Sequence, residues 1–463
     1  MPGRRLRAKR AAASHTAAAA APPITRQALF EQAGIIATAS FGELLDAAVL
    51  MASQPVPAGN AVAVVSNGGG VSMLAADACA EAGLAVAATG PQARSRLREV
   101  LAAEASLGGP VDTTAAVSPE AFGEALRILA AQDGVNALIA VLVRSASAGL
   151  LPVLAAAPLP APAVAVVLDQ PEAARLLRGS ETAVPAYAYP EAAARALARA
   201  ARYGSWRSQP TGAVPQFADL RAEDARSVVR SFLTRMPGGG WLSAEEADFL
   251  LRCYGIPMVD FRRADDADAA VAAAAGLGGH VVIKADVPGL LHKTAAGAVE
   301  LDLHGADEVR AAMHRLQDRF AGRVSVVLVE PMITGGVETI VGVVKEPVFG
   351  PVVVFGLGGV ATEVLGDRVA RLAQLTTADA DDLIHSVRAA PALLGQGGQP
   401  PGDIGALRDA LLRVSCLADD LPQVAELDLN PVIARPDGVI AVDARIRVTS
   451  HHLADPFLRQ LPL

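Results

Sequence analysis

Aromatic side chains are scarce in this sequence: they make up 4 % of 463 residues, while hydrophobic residues make up 52 %. Alanine and valine fill the difference, so the cores are expected to be aliphatic. Cysteine is scarcer still. Cys79, Cys253 and Cys416 lie far apart and are odd in number. That excludes a disulfide framework, offers no metal-ligand spacing, and fits a reducing cytoplasm. Net positive charge is also lacking, the formal charge being −8 at pH 7. Non-specific binding to nucleic acid or an anionic membrane is therefore not expected, although local cations can still hold a small anion. A long unbroken apolar run is missing too. Residues 150–168 carry almost no charge, but Pro152, Pro158, Pro160 and Pro162 interrupt them, which argues against a membrane helix.

What charge the N-terminus holds is of one sign. Residues 1–23 contain Arg4, Arg5, Arg7, Lys9 and Arg10 and no acid. Three readings stay open: a transit peptide, a basic tail, or a start inside a domain whose earlier strands lie upstream. The third is favoured by two orderly helices that follow. One, RQALFEQAGII, closes at Gly34; the next begins with Ser40 and Glu43 spaced as a capping box.

Residues 58–205 read as alternating short apolar strands and helices, which implies a flavodoxin-like parallel sheet. Its first strand, around Val62–Val65, runs into Gly68, Gly69 and Gly70 and a helix from about Val71. Free N–H groups at such a helix start favour an anion, while a plain tight turn is the alternative. No GxGxxG fingerprint is present. Later, PAVAVVLD, an Arg/Ala-rich helix and AVPAYAY are expected in turn. Proline- and glycine-rich segments mark 206–240 as a linker. From 241 to 463 the pattern changes to mixed α+β with antiparallel pairs.

Three stretches of that second half carry chemistry. VVIKADVPGLLHKTAAGAVELDLH (281–304) reads as strand, loop and returning strand, delivering Lys284 to a polar strand end and placing His292 beside Lys293. A solvated surface hairpin is the bland alternative. Val329-Glu330-Pro331-Met332 ends a strand, and its backbone could meet an adenine edge or simply close the strand. ELDLNPVIARPDGVIAVDARIRV reads as a hairpin turned at Pro436-Asp437-Gly438. With a two-residue loop Arg435 pairs with Gly438, and Asn430 then faces Asp443 with Cβ atoms roughly 5 Å apart. Asp428 shares that face. A three-residue loop shifts the register by one. Oxygen ligands of this kind suit magnesium on nucleotide phosphates; a solvated acidic hairpin is the alternative.

In this order the segments resemble the C-terminal two-thirds of the ADP-forming (NDP-forming) acyl-CoA synthetases, the acetate–CoA ligase family related to succinyl-CoA synthetase, over residues 11 to about 450. SHTAAAAA stands where the family carries a SHTGALAG-like segment, with His15 at the phosphorylated histidine. HKTAAGAV matches the family's second histidine at His292. FGPVVVFGLGGVATEVLGD matches a glycine-rich segment with Glu363 as a further polar candidate, and Asp428, Asn430 and Asp443 match the magnesium ligands.

The resemblance implies a parallel-sheet domain followed by an ATP-grasp domain, with residues 1–57 the remnant of a preceding domain and linking helices. It implies ATP or ADP and Mg2+ as cofactors, with CoA and a small carboxylic acid as substrates. Lys284, Glu330 and Met332 would hold nucleotide, and Gly68–Gly70 would cradle phosphohistidine. A phosphoryl group would pass between an acyl phosphate, His15, His292 and ADP. The protein is expected to be a cytoplasmic oligomer. A partner subunit or a missing N-terminal region would bring the CoA-binding domain. Two motifs depart from the family: Gly109-Pro110-Val111-Asp112 replaces Asn-Pro-Val-Asp, and Lys345-Glu346-Pro347 replaces Arg-Asp-Pro. The competing reading is a ligand-sensing module like the regulatory region of protein lysine acetyltransferases.

Overall fold

The computed structural model describes residues 23–143, 149–156, 158–179, 182–210, 212–287, 293, 296–320, 324, 326–346, 349–358, 367–388, 390–396, 398 and 400–450. These form two compact units. One holds residues 33–210; the other joins the helix Pro23–Gln32 to the residues from 212 onward. His15, His292 and Glu363 lie outside the described residues.

The first unit is built on a parallel sheet. Its strands are β1 (Ala61–Ser66), β2 (Ala85–Val86), β3 (Val111–Asp112), β4 (Ala137–Leu142), β5 (Ala163–Val167), β6 (Ala174–Arg178) and β7 (Ala183–Tyr187). They run in the order β2-β1-β4-β5-β7-β6, with β3 also on β1. Such a sheet needs cover on both faces, which is why β4 and β5 are apolar at every position. Alternate residues of β1 and β4 divide between two cores. Val65, Leu138 and Leu142 face the helices Pro91–Val100 and Pro119–Ala130; Val64, Ile139 and Val141 face Gly69–Ala82 and Pro190–Ser208. Leu126, Leu138, Ile139 and Leu142 are at most 1 % exposed, each contributing about 1.5–3 kcal/mol by leaving water.

Two local expectations change here. The Arg/Ala-rich segment after β5 is the antiparallel edge strand β6, not a helix. Between Pro171 and Gly179 there are too few residues to nucleate a stable helix, and β7 offers an open edge. At the helix Phe41–Ser53, Ser40 accepts from the Glu43 N–H, but Glu43 reaches back to the Ala39 N–H, one residue beyond the usual box partner.

The second unit holds two sheets. A four-stranded one has the order β11-β10-β12-β9, from β9 (Arg262–Ala264), β10 (His280–Ala285), β11 (Val299–His304) and β12 (Val327–Pro331). A seven-stranded one contains β8 (Gly240–Trp241), β13 (Val337–Glu346), β14 (Gly350–Leu357), β15 (Arg368–Leu372), β16 (Val424–Arg435), β17 (Gly438–Ala441) and β18 (Ala444–Val448). Its order is β15-β14-β13-β16-β18-β8, with β17 on β16. The small sheet packs Val281, Ile283, Val327 and Val329 on the helices Ala267–Gly276 and Gly305–Arg319. The large sheet packs Val341, Val343, Phe355, Leu427 and Ile446 on helices including Ile404–Asp420. Each sheet is thus covered by helices on the face that carries its core residues. This is the α+β layout expected of an ATP-grasp unit.

The stretch 206–240, expected as linker, contains the helix Ala222–Arg235, which buries Ala225, Val229 and Phe232 in the large-sheet core. Their spacing of four and three residues makes one apolar stripe, which earns a place in the core. Pro23–Gln32 docks on the edge strand β15. The Gln32 amide donates to Leu372 O and accepts from Leu372 N–H, extending the ladder with a side chain.

Candidate functional site

Strand alternation sorts β10 into two sets. Val281, Ile283 and Ala285 enter the core, so Val282 and Lys284 face the other way. Register pairs Lys284 with Leu328 and Val282 with Glu330. Glu330 is therefore the diagonal neighbour of Lys284 on the same face. Lys284 Nζ donates to Glu330 Oε2 at 2.7 Å, with both side chains buried. The same Nζ donates to Val442 O at 2.5 Å. Val442 belongs to the β17–β18 connection, so the lysine bridges the small sheet to the large one. Burial pushes the Glu330 carboxyl above its usual range, against the pull of the Lys284 charge.

The acidic hairpin takes the two-residue loop. Arg435 pairs with Gly438, and Val432 with Ala441. Continuing the count, Asn430 N–H donates to Asp443 O at 3.2 Å, and Asp428 pairs with Arg445. Asp428, Asn430 and Asp443 thus share one face of the large sheet, opposite the core face occupied by Leu427 and Leu429. Lys293 Nζ reaches Asp443 Oδ1 at 3.2 Å. Two lysines from the small-sheet segment therefore meet consecutive residues, 442 and 443, of the acidic hairpin.

Burial raises the Asp428 carboxyl above its usual range; Arg445 opposes this, Asp443 adds to it, and Arg368 opposes it. Arg445 and Arg368 were not among the residues singled out from sequence. Arg445 could have been found by extending the hairpin count two pairs past Asn430. Arg368 could not, because it arrives from β15, which β13 and β14 separate from β16.

The donor set fits a hard divalent cation. Two carboxylates and an amide oxygen stand on neighbouring strands, with Gly342 on β13 opposite Asp428, so no side chain fills the space beside it. Magnesium would be held by Asp428, Asn430 and Asp443.

One expectation at this site is corrected. The Met332 N–H is not open to a ligand, because it donates to His280 O at 2.9 Å. The antiparallel pairing of β10 and β12 runs one residue further than the strand pattern suggested, and uses that donor inside the sheet. Gly68–Gly70 belong to the other unit. There Gly68 caps the helix Gly69–Ala82 without any side-chain hydrogen bond. A Cβ on Gly69 would stand 2.7 Å from Asp112 Oδ2, so a side chain there would displace that carboxylate.

Comparison with known proteins bears on both halves. Residues 234–448 match the family model of an ATP-grasp domain, and residues 1–51 match that of a succinyl-CoA ligase like flavodoxin domain. The chain is 33 % identical over 445 residues to acetate–CoA ligase [ADP-forming] I of Archaeoglobus fulgidus, covering 94 % of this chain and 64 % of that relative. It is 37 % identical over 206 residues to acetate–CoA ligase [ADP-forming] I subunit beta of Pyrococcus furiosus, covering 43 % of this chain and 89 % of that one. Among solved structures, a dinucleotide-forming acetyl-coenzyme A synthetase 1 of Ca. Korarchaeum cryptofilum, in complex with coenzyme A, Ca-AMPCP and HgCl+, is 36 % identical. That match covers 48 % of this chain and 99 % of that one, with a TM-score of 0.46. The chain thus spans about two-thirds of the length of its full-length curated relative, 64 %.

Proposed function

Because this chain belongs to the ADP-forming acetate–CoA ligase family, we propose that it carries the nucleotide-handling part of such a ligase. The overall reaction would join a small carboxylic acid to CoA with ATP, releasing ADP and phosphate. The observation that supports this reading most is the meeting of Lys284 and Lys293 with residues 442 and 443. Cations from one sheet and acids from the other would then face one cleft, as a magnesium nucleotide requires.

Lys284 would release Val442 O to a phosphate oxygen while keeping Glu330, so its charge stays positioned. Lys293 and Arg445 would offset further phosphate charge. Bound magnesium would neutralise charge between the nucleotide phosphates. His292 follows the 281–287 segment and directly precedes Lys293. Its neutral imidazole would take the terminal phosphoryl group without prior proton removal. His15 would be the second carrier, with the helix start at Gly68–Gly70 as its phosphate cradle. Adenine contacts would come from backbone near Glu330, with Met332 excluded as a donor by its bond to His280.

CoA and the acid would be bound by a partner subunit or by a region outside the described residues, in a cytoplasmic oligomer. The beta-subunit relative supports this division of labour. No described helix is long and apolar enough to cross a membrane. The ligand-sensing alternative has no observation of its own in its favour.

The direct test is calorimetry of the full chain with ADP, with and without magnesium. Magnesium-dependent binding is expected. No heat of binding, in a chain whose folding is verified, would sink the proposal.

A further inference from the structure

At the opposite end of β10 from Lys284, on the face the two share by parity, stands a cluster that the nucleotide chemistry does not use. His280 opens β10 and His304 closes β11, and the register sets them directly opposite each other. Their rings stack with centroids 4.0 Å apart and planes 16° apart. Asp302 lies two residues before His304, in the bulge of β11. Its Oδ1 is 2.7 Å from His280 Nε2 and 3.5 Å from His304 Nε2. One ligand atom from each of the three lies within 4.8 Å of the others.

The backbone is bent to bring them together. The β10–β11 register slips between Val281 and Ile283, so β11 carries an extra residue there. Asp302 takes the left-handed conformation at φ +59, which aspartate adopts more readily than most side chains. The bulge aims the carboxylate between two imidazoles.

We propose that His280, Asp302 and His304 bind a borderline divalent cation of the zinc class at the end of the β10–β11 hairpin. The chemistry selects that class. Two imidazoles and one carboxylate suit zinc, nickel or copper, whereas magnesium prefers oxygen alone. Ligand bonds of about 2.0–2.2 Å place tetrahedral donors about 3.4 Å apart. The two His–Asp separations lie on either side of that value. His304 and Asp302 are 60 % and 72 % exposed, so both can adjust, and water can take the fourth position. The site is separate from Asp428, Asn430 and Asp443. It would tie the edge strand β11 to β10 at the point where His280 O accepts the Met332 N–H.

The test uses the tag-free full chain, stripped with a chelator and titrated with zinc chloride in excess magnesium. Calorimetry should find a zinc equivalent that magnesium does not displace, and zinc should raise the Tm. That equivalent should vanish in His304→Ala and in Asp302→Asn. It should persist in His314→Ala, an exposed histidine on the next helix. His304 is exposed, so an unchanged Tm without zinc verifies that its variant folds. Equal zinc uptake by the wild type and a His280→Ala/His304→Ala variant would overturn the proposal, as would no uptake by the wild type.

Discussion

The ammonium of Lys284, on the small sheet, hydrogen-bonds the carbonyl of Val442, on the large sheet, at 2.5 Å. The two residues are 158 positions apart in the chain. Through that bond a buried cation looks out of one sheet onto the acidic edge of the other. Its second partner, Glu330, is equally buried. A charge in this position is held ready for an anion, since a phosphate oxygen can replace the carbonyl at no further desolvation cost.

Lys284→Met should destabilise the second unit by about 3–5 kcal/mol, because Glu330 stays buried without its cation. Lys284→Met combined with Glu330→Leu should recover most of that loss. Urea unfolding of the two variants decides it. A double variant as unstable as the single one would show that the pair is not the source.

Asp443→Ala and Asn430→Ala should each weaken magnesium-dependent ADP binding by about tenfold or more, since each removes an oxygen from a small donor set. Lys293→Ala should also weaken binding, since it removes a half-buried cation 3.2 Å from Asp443. Calorimetry at fixed magnesium measures all three. Unaltered affinity in both oxygen-ligand variants would dismiss the hairpin as the metal site.

His292→Ala should abolish acid-labile labelling of the chain by ATP carrying a labelled terminal phosphate. His314→Ala should not. Equal labelling in the two variants would remove His292 from the transfer path, leaving nucleotide binding untouched.

Glu43 gives a pH signature in the first unit. The Ala39 N–H holds its carboxyl below the ordinary value, aided by Arg199 and Arg195 against the effect of burial. A lowered folded-state pKa means the stabilisation is full above the ordinary glutamate value and is lost as pH falls from there through the lowered folded-state value. Glu43→Gln should therefore cost about 1 kcal/mol at pH 7 and nothing at low pH. A constant difference across thermal melts from pH 7 to pH 3 would contradict this.

Acyl-CoA formation from a short acid, CoA and ATP should require the CoA-binding subunit or region, supplied from a family member. Full turnover by this chain alone would refute that division. A panel of short acids in the completed system would then identify the acyl group.

Local pattern made much of the architecture legible. The parallel sheet followed from apolar strands alternating with helices, and the acidic hairpin took one of the two registers that a turn at Pro436-Asp437-Gly438 allows. The helix at 222–235 was legible too, in the stripe Ala225, Val229 and Phe232, but the flanking proline and glycine drew attention away from it. The strand at 174–178 was not legible, because ARLLR has no period of its own and takes its form from the open edge of β7. The Met332 N–H was not legible for the same kind of reason: whether it is free depends on how far β10 runs beside β12.

By itself the sequence determined which residues share a face, because side-chain direction along a strand depends only on parity. It put Asp428 and Asn430 on one side of their strand, while the two-residue loop that brings Asp443 beside them was decided by the fold. Only the tertiary structure decided that Lys284 and Lys293 meet residues 442 and 443, and that a bulge turns Asp302 between two histidines. Those contacts join segments brought together by sheet packing or by a break in the alternation, and neither leaves a periodic trace in the chain.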